Sequence, residues 1–440
     1  MRFAKLRRPV PLVAATLACI LVLGACSAGS LGSSDEGGGA TLSFLVDNAD
    51  ASVKPAQALA EAFHAKNPDI TVQVQTRPGG SEGDNIVKTR LSTGEMTDVF
   101  LYNSGSLFQA LNPQQNLTSL TGEAWVNQLE DIFKPVVSVE NELYGAPITG
   151  SSAGGILYNR KVYEQLGLRV PTTWAEFMAN NAKVKAAGID PVIQSYSDTW
   201  TSQLFVLADY HNVAAADPDW ATKYTAGQVK YAQEPAVKGF ERLEEVHKAG
   251  YENKDYRSMK FDAGMKLLAS GKGAHFPMLT FAVGTLAASD PEHINDVGFF
   301  GQPGDDAAKA GMTIWMPAGL YIPKSTEGAQ LEAAKKFVAF VASPEGCDVQ
   351  TKAYPPAGPY MVKGCELPAD APQAIKDVVA YVEKGNITPA LEFSSPIKGP
   401  ALEQITVEVG SGLRSATDGA ALYDQDVKKQ AQQLGLKGWS

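Results

Sequence analysis

Apolar positions near the start of the folded part of the chain recur with two periods. Leu42, Phe44 and Val46 fall on every second residue, as on one face of a strand, and so do Ile70, Val72 and Val74. Between them Val53, Ala56, Leu59, Ala60 and Phe63 share one side of a 3.6-residue repeat. That spacing predicts a helix over 52–66, with Ser52 as N-cap and Pro68 beyond its end. Residues 98–102 (DVFLY) read as a third strand and 104–111 as a helix. The series is β-α-β-(α)-β-α, the order of an open α/β sheet.

The alternation returns further on. A strand is expected at 155–158. Thr173 and Glu176, three apart, form a capping box at the start of a helix that Gly188 closes. Strands at 191–193 and 273–279 flank helices at 235–249 and 258–270. A loop-rich stretch runs to 306, and 314–322 is apolar with Pro and Gly. Helices are predicted at 328–342, 372–384, 399–409 and 418–434, and no internal repeat appears after residue 40.

The first 40 residues follow neither period. Arg2, Lys5, Arg7 and Arg8 precede an uncharged apolar run from 10 to 23, shorter than the roughly 20 residues of a membrane span. This is the layout of a secretory signal over 1–25. Its end, Leu23-Gly24-Ala25-Cys26, resembles a bacterial lipobox, which implies cleavage before Cys26 and lipidation of that cysteine. The anchor would hold the protein at the outer face of the cell membrane. The alternative is an uncleaved membrane anchor with an incidental cysteine. Residues 26–40 are rich in Gly and Ser and make a flexible tether of about 20 Å root-mean-square reach.

Composition narrows the class. The 440 residues suit two or three domains or one bilobal body. The net charge of −10, which becomes −14 without the four basic residues of the signal, argues against a nucleic-acid-binding surface. Of four cysteines, Cys19 would leave with the signal and Cys26 would carry lipid. Cys347 and Cys365 would remain outside the cytoplasm, where disulfides persist, and are expected to pair; two buried free thiols are the alternative.

Several segments resemble the sugar-type (family 1) extracellular solute-binding proteins of ABC importers. They include Phe63-His64-Ala65-Lys66-Asn67-Pro68-Asp69-Ile70, Asp98-Val99-Phe100, and Leu143-Tyr144-Gly145-Ala146-Pro147. The most specific begins at Leu157-Tyr158-Asn159-Arg160 and runs through Leu166-Gly167-Leu168 to Val170-Pro171-Thr172-Thr173-Trp174-Ala175-Glu176-Phe177. Gly319-Leu320-Tyr321-Ile322-Pro323-Lys324 and Ala333-Ala334-Lys335-Lys336-Phe337-Val338 follow, so the resemblance covers about 41–350 in order. It implies an α/β, two-lobed, type II periplasmic-binding-protein-like fold with crossing hinge strands near 147–154 and 315–320. Lobe one would be 41–149 and 278–316, lobe two 150–277 and 317–440. It also implies a monomer that binds a small solute, a carbohydrate by analogy, passes it to an ABC permease and uses no cofactor.

Ligands of open α/β sheets sit beyond the carboxyl ends of strands. That rule selects Asp47 and Asn48, then Tyr102, Asn103 and Ser104, then Ser151 and Ser152, then Asp198 and Trp200, and finally Phe276 and Phe281. A sugar needs carboxylates or amides for its hydroxyls and aromatic faces for its C–H face. Asp47, Asn48, Asn103 and Asp198 suit the first task; Tyr102, Trp200 and Trp315 suit the second. Asp47 and Asp198 are equally suited to capping helices, and Tyr102 and Trp315 to the core. Relatives often carry an aromatic platform after the strand that reads GAHFPM here. No Trp stands there, so Phe276 and Phe281 are the substitutes, and a non-sugar polar solute stays open. Tyr360, inside the expected disulfide loop, would reach the cleft or brace a surface turn.

One motif points elsewhere. Gly150-Ser151-Ser152-Ala153-Gly154 matches the G-x-S-x-G elbow of α/β-hydrolases, which requires strand, sharp turn and helix. Here a strand is expected next, so a tethered hydrolase is the weaker alternative. No HExxH, P-loop or dinucleotide fingerprint occurs, and no metal site is expected.

Overall fold

The computed structural model describes residues 39–439. The signal, Cys26 and nearly all of the tether lie outside them, and Ala40 already opens the first strand. Two sheets organise the described chain. The first contains β1 (Ala40–Asp47), β2 (Ile70–Arg77), β3 (Val99–Tyr102) and β4 (Gly145–Ile148). The second contains β5 (Ser152–Asn159), β6 (Asp190–Val192), β7 (Gly273–Leu279), β8 (Val297–Gly301) and β9 (Met312–Trp315). The chain then returns to the first sheet as β10 (Ala318–Tyr321) and ends its strands in the second as β11 (Ile387–Pro389).

The first sheet has the order β2-β1-β3-β10-β4, parallel from β2 to β3 and antiparallel at β10 and β4. The second has the order β11-β9-β5-β7-β6, with β8 paired to β5. This is the two-lobed α/β architecture that the sequence led us to expect.

The chain is divided differently from that expectation. The resemblance implies lobe one for residues 278–316, yet β8 pairs with β5 from Val297↔Asn159 to Gly301↔Gly155, and β9 pairs with β5 through Trp315↔Ser152. It implies lobe two for residues 317–440, yet β10 pairs with β3 and β4 in the first sheet. Helix Gly328–Val341 follows β10 and covers the first sheet: Phe337 stacks edge-on to Phe44 at 5.5 Å and to Phe63 at 5.3 Å. Only from helix Gln373–Glu383 does the chain rejoin the second lobe, where Asp377 accepts the Phe299 N–H at 2.9 Å and the Tyr381 hydroxyl accepts the Gly301 N–H at 3.1 Å. A strand's apolar pattern marks its burial, and β8 is buried at every position, so its sequence carries no sign of which sheet it joins.

Locally the sequence is obeyed closely. Strand β7 spans the residues expected of it. The capping box at Thr173 forms, with Glu176 N–H donating to Thr173 Oγ1 and the Glu176 carboxylate accepting from Thr173 N–H. The first helix begins earlier than expected, at Asp50, and Ser52 is not its cap. Ser52 Oγ donates instead to Asp47 at 2.7 Å. Helices form at Ala282–Ser289 and Pro344–Ala353, where the sequence pattern predicts none.

Candidate ligand-binding cleft

Of the passages of chain between the sheets, two run side by side. Ile148 faces Ala318 in the first sheet, and Ser152 faces Trp315 in the second. Residues 149–151 and 316–317 are therefore the crossings. Thr149 has φ +66°, a left-handed conformation that costs a β-branched residue of order 1–3 kcal/mol. Its N–H donates at 2.6 Å to Oε1 of Gln350, a buried side chain of helix Pro344–Ala353.

The segment 354–360 lies against these crossings. Ser151 donates both its N–H and its hydroxyl to Pro359 O, at 2.8 and 2.9 Å. Thr280 Oγ1 donates to Ala357 O at 2.6 Å and accepts from Ala153 N–H at 2.9 Å. Tyr360 donates or accepts a 2.7 Å bond with Thr351 Oγ1. Cys347 and Cys365 form a disulfide with Cα atoms 5.9 Å apart, so the segment is part of a covalently closed loop.

A cavity of about 290 Å³ opens where these pieces meet. Asp47, Ser52 and Asn103 reach it from the first lobe, Ser152 and Phe281 from the second, and Tyr360 from the disulfide loop. The walls between are apolar: Pro55, Met316, Pro317, Pro355 and Pro356. Phe281 lines this cavity and is 40% exposed. Asp47 Oδ1 accepts from Ala49 N–H at 3.0 Å while Oδ2 holds Ser52, so its carboxylate is oriented before any ligand arrives. A second chamber of about 280 Å³ shares Asn103, Met316 and Ala318 of its lining with the first.

The expected site residues divide into three groups. Asp47, Asn103, Ser152, Phe281 and Tyr360 line the first chamber, while Ser104 and Trp315 line the second. Trp200 is in neither lining; its ring centroid lies 5.8 Å from that of Phe281. The rest are placed elsewhere. Phe276 is fully buried against Gly264 and Phe261, because β7 turns that side of the strand into the core. Tyr102 is likewise fully buried, and burial pushes its hydroxyl pKa well up. Asp198 accepts the Phe261 N–H at 2.7 Å and so caps a neighbouring helix, Phe261–Ala269. Ser151 is buried and spent on Pro359, and Asn48 is exposed outside the lining. Sequence reasoning missed Gln350, Tyr354 and the Pro355-Pro356 wall, although the Pro-rich run itself was a visible signal. The hydrolase elbow does not form: Ser152 opens a strand, its Oγ meets Thr280 Oγ1 at 3.3 Å and it accepts the Phe281 N–H at 3.2 Å.

Residues 49–346 match the model of one family, the bacterial extracellular solute-binding proteins. The chain belongs to that family. As a solute-binding protein it is of a family that binds rather than catalyses. It is 25% identical over 333 residues to the "Multiple sugar-binding protein" of Streptococcus mutans, covering 73% of this chain and 75% of the relative. It is 23% identical over 339 residues to the "Melibiose/raffinose/stachyose-binding protein MelE" of Bacillus subtilis, covering 74% and 75%. Among solved structures, a chitin oligosaccharide binding protein superposes with a TM-score of 0.74 at 19% identity, over 90% of this chain and 99% of that one. The binding protein RafE in complex with raffinose gives 0.71 at 19%, over 88% and 99%. These likenesses carry the two-lobed fold of this solute-binding protein.

Proposed function

We propose that the protein captures a sugar or short oligosaccharide between its lobes and delivers it to an ABC permease. The observation that carries this reading is the cavity at the crossings, which joins an exposed aromatic side chain, Phe281, to a preoriented carboxylate, Asp47, and an amide, Asn103. Those are the two kinds of group a pyranose requires. The names of the relatives support it. Asp47, Asn103 and Ser152 bond the hydroxyls, and Phe281 covers the C–H face. Lobe one then comprises about 40–148 and 318–365, and lobe two the remainder of the folded chain. Because ligand contacts come from both lobes, the solute favours whichever interlobe arrangement makes them together. The protein acts as a monomer tethered to the outer face of the membrane through lipid on Cys26. No helix of the described residues is long and apolar enough to cross a membrane.

A thermal-shift screen of the mature protein against sugars, amino acids and polyamines tests the solute class, since a ligand selective for the native state raises Tm. Sugars are expected to raise it and to be recovered unchanged. A shift only with amino acids or polyamines, or conversion of the sugar, would refute the reading. Labelling with a fatty-acid precursor that is lost in Cys26→Ser tests the anchor.

A further inference from the structure

Four residues other than glycine have a left-handed backbone among the described residues: Asn112, Glu140, Asn141 and Thr149. Three of them have a local reason. Asn tolerates this conformation. Glu140 and Asn141 form the two-residue turn between the paired stretches Ser138–Val139 and Glu142–Leu143, where both turn positions take positive φ. Thr149 has no such reason. It is β-branched, it follows Ile148 at the end of β4, and it opens the 149–151 crossing.

What holds it there comes from far along the chain. Gln350 is buried, and both ends of its amide are engaged. Its Nε2 donates to Gly346 O at 3.1 Å, one turn back in its own helix, and its Oε1 accepts the Thr149 N–H at 2.6 Å. The helix is itself secured. Ser343 Oγ caps it by accepting the Gly346 N–H at 3.1 Å, and Cys347 anchors it through the disulfide. The next two crossing residues rest on the same disulfide-closed segment. A Cβ on Gly150 would stand 2.3 Å from Gly358 O, and Ser151 N–H donates to Pro359 O. Only residues 149–151 separate Ile148 in the first sheet from Ser152 in the second, so the dihedrals at Thr149 set the direction in which the chain enters the second lobe.

We propose that Gln350 is a positioning residue for solute capture: it holds Thr149 in the left-handed turn from which Asp47 and Asn103 of one lobe and Ser152 and Phe281 of the other line one cavity. This rests on the reading of that cavity as the solute site. A threonine left to itself takes extended or right-handed backbone, and a buried acceptor aimed at its N–H reverses that preference. The solute meets an assembled lining only in the fraction of molecules that has the held turn, and its apparent affinity falls in proportion when that fraction falls. Glycine takes positive φ about as readily as negative, so the hold matters less when glycine stands at 149.

The test is a double-substitution cycle on the mature protein, titrated calorimetrically with raffinose and with N,N′,N″-triacetylchitotriose. Gln350→Met keeps the side-chain volume and removes the acceptor. It is expected to weaken the sugar that binds by about threefold or more in the parent, and by less than about 1.5-fold when Thr149→Gly is also present. Equal losses in the two backgrounds would overturn the proposal, since a Gln350 that touches the solute, or only supports its helix, acts alike in both. No loss in either would overturn it too. A second measurement needs no variant. The Thr149 amide of the ligand-free parent is expected to exchange with solvent deuterium about tenfold or more slower than in an unfolded chain. Exchange at the unfolded rate would overturn the hold. Failure of both sugars to bind the parent is a different result: it removes the sugar reading and leaves the amide exchange to decide on Gln350.

Discussion

His275 shows how a polar residue is accommodated in the second lobe. Its Nδ1 faces two acceptors, Asn181 Oδ1 and Pro191 O, both at 2.8 Å, so the proton sits there. Nε2 then accepts from the Tyr163 hydroxyl at 2.7 Å. The ring is fully buried, and burial lowers its pKa to about 3. The unfolded chain takes up this proton near pH 6.5 and the folded protein only near 3, so stability is complete above 6.5 and is lost as pH falls between the two. The expected slope is at most about 1.4 kcal/mol per pH unit from this group. Denaturant melts of the parent and of His275→Gln across pH 7 to 4 check it, the variant having the flatter profile. In the cleft, Phe281 and Trp200 separate by position. Phe281→Ala removes a lining face and is expected to weaken ligand binding about tenfold. Trp200→Ala removes only a ring neighbour of Phe281 and should cost less. Titration of both variants with the same sugar decides the order; a larger loss at Trp200 would move the binding face there.

At the scale of elements, the loop closed by Cys347 and Cys365 has two functions. It constrains the unfolded chain, which for a separation of 18 residues contributes about 3 kcal/mol. It also holds 354–360 in the cleft, where Ala357 O and Pro359 O receive bonds from Thr280 and Ser151. Reduction, or the pair Cys347→Ser and Cys365→Ser, is therefore expected to lower Tm and to weaken the ligand together. Thermal melts and titrations under both redox conditions check this. A fall in Tm with unchanged affinity would show that the neighbouring hydrogen bonds suffice to hold the wall. Gln350 ties the same loop to the crossing through Thr149, so the wall and the hinge are one connected structure.

At the scale of the molecule, only short crossings and the return of the chain after the disulfide link two lobes with separate sheets. Each lobe supplies part of the lining of the cavity at the crossings. Binding is expected to draw the lobes together, so the radius of gyration in solution scattering should fall when a saturating sugar is added. An unchanged value, with binding confirmed by calorimetry, would mean that the lobes are already held at the bound angle. The contact of Phe393 with Gly105 is where such a restraint would act.

Much of this was present in the sequence because it is local. The alternation of β1 and β2, the repeat of the first helix, the Thr173–Glu176 box and the extent of β7 follow from spacing alone; the order of elements points to an open α/β sheet, and the family resemblance to two lobes. Loops at strand ends supplied Asp47, Asn103, Ser152 and Phe281, all of which line the cleft. Which sheet each late strand joins was not legible, because β8 is buried throughout and shows no distinguishing face. Phe276 and Phe281 stand five residues apart and look alike as aromatics, yet one is core and the other lines the cleft, since the turn after β7 decides their direction. Gln350 lies far along the chain from Thr149 and carries no motif. It reaches the crossing because the chain passes between lobes and folds back, and proximity of that kind exists only in the tertiary structure.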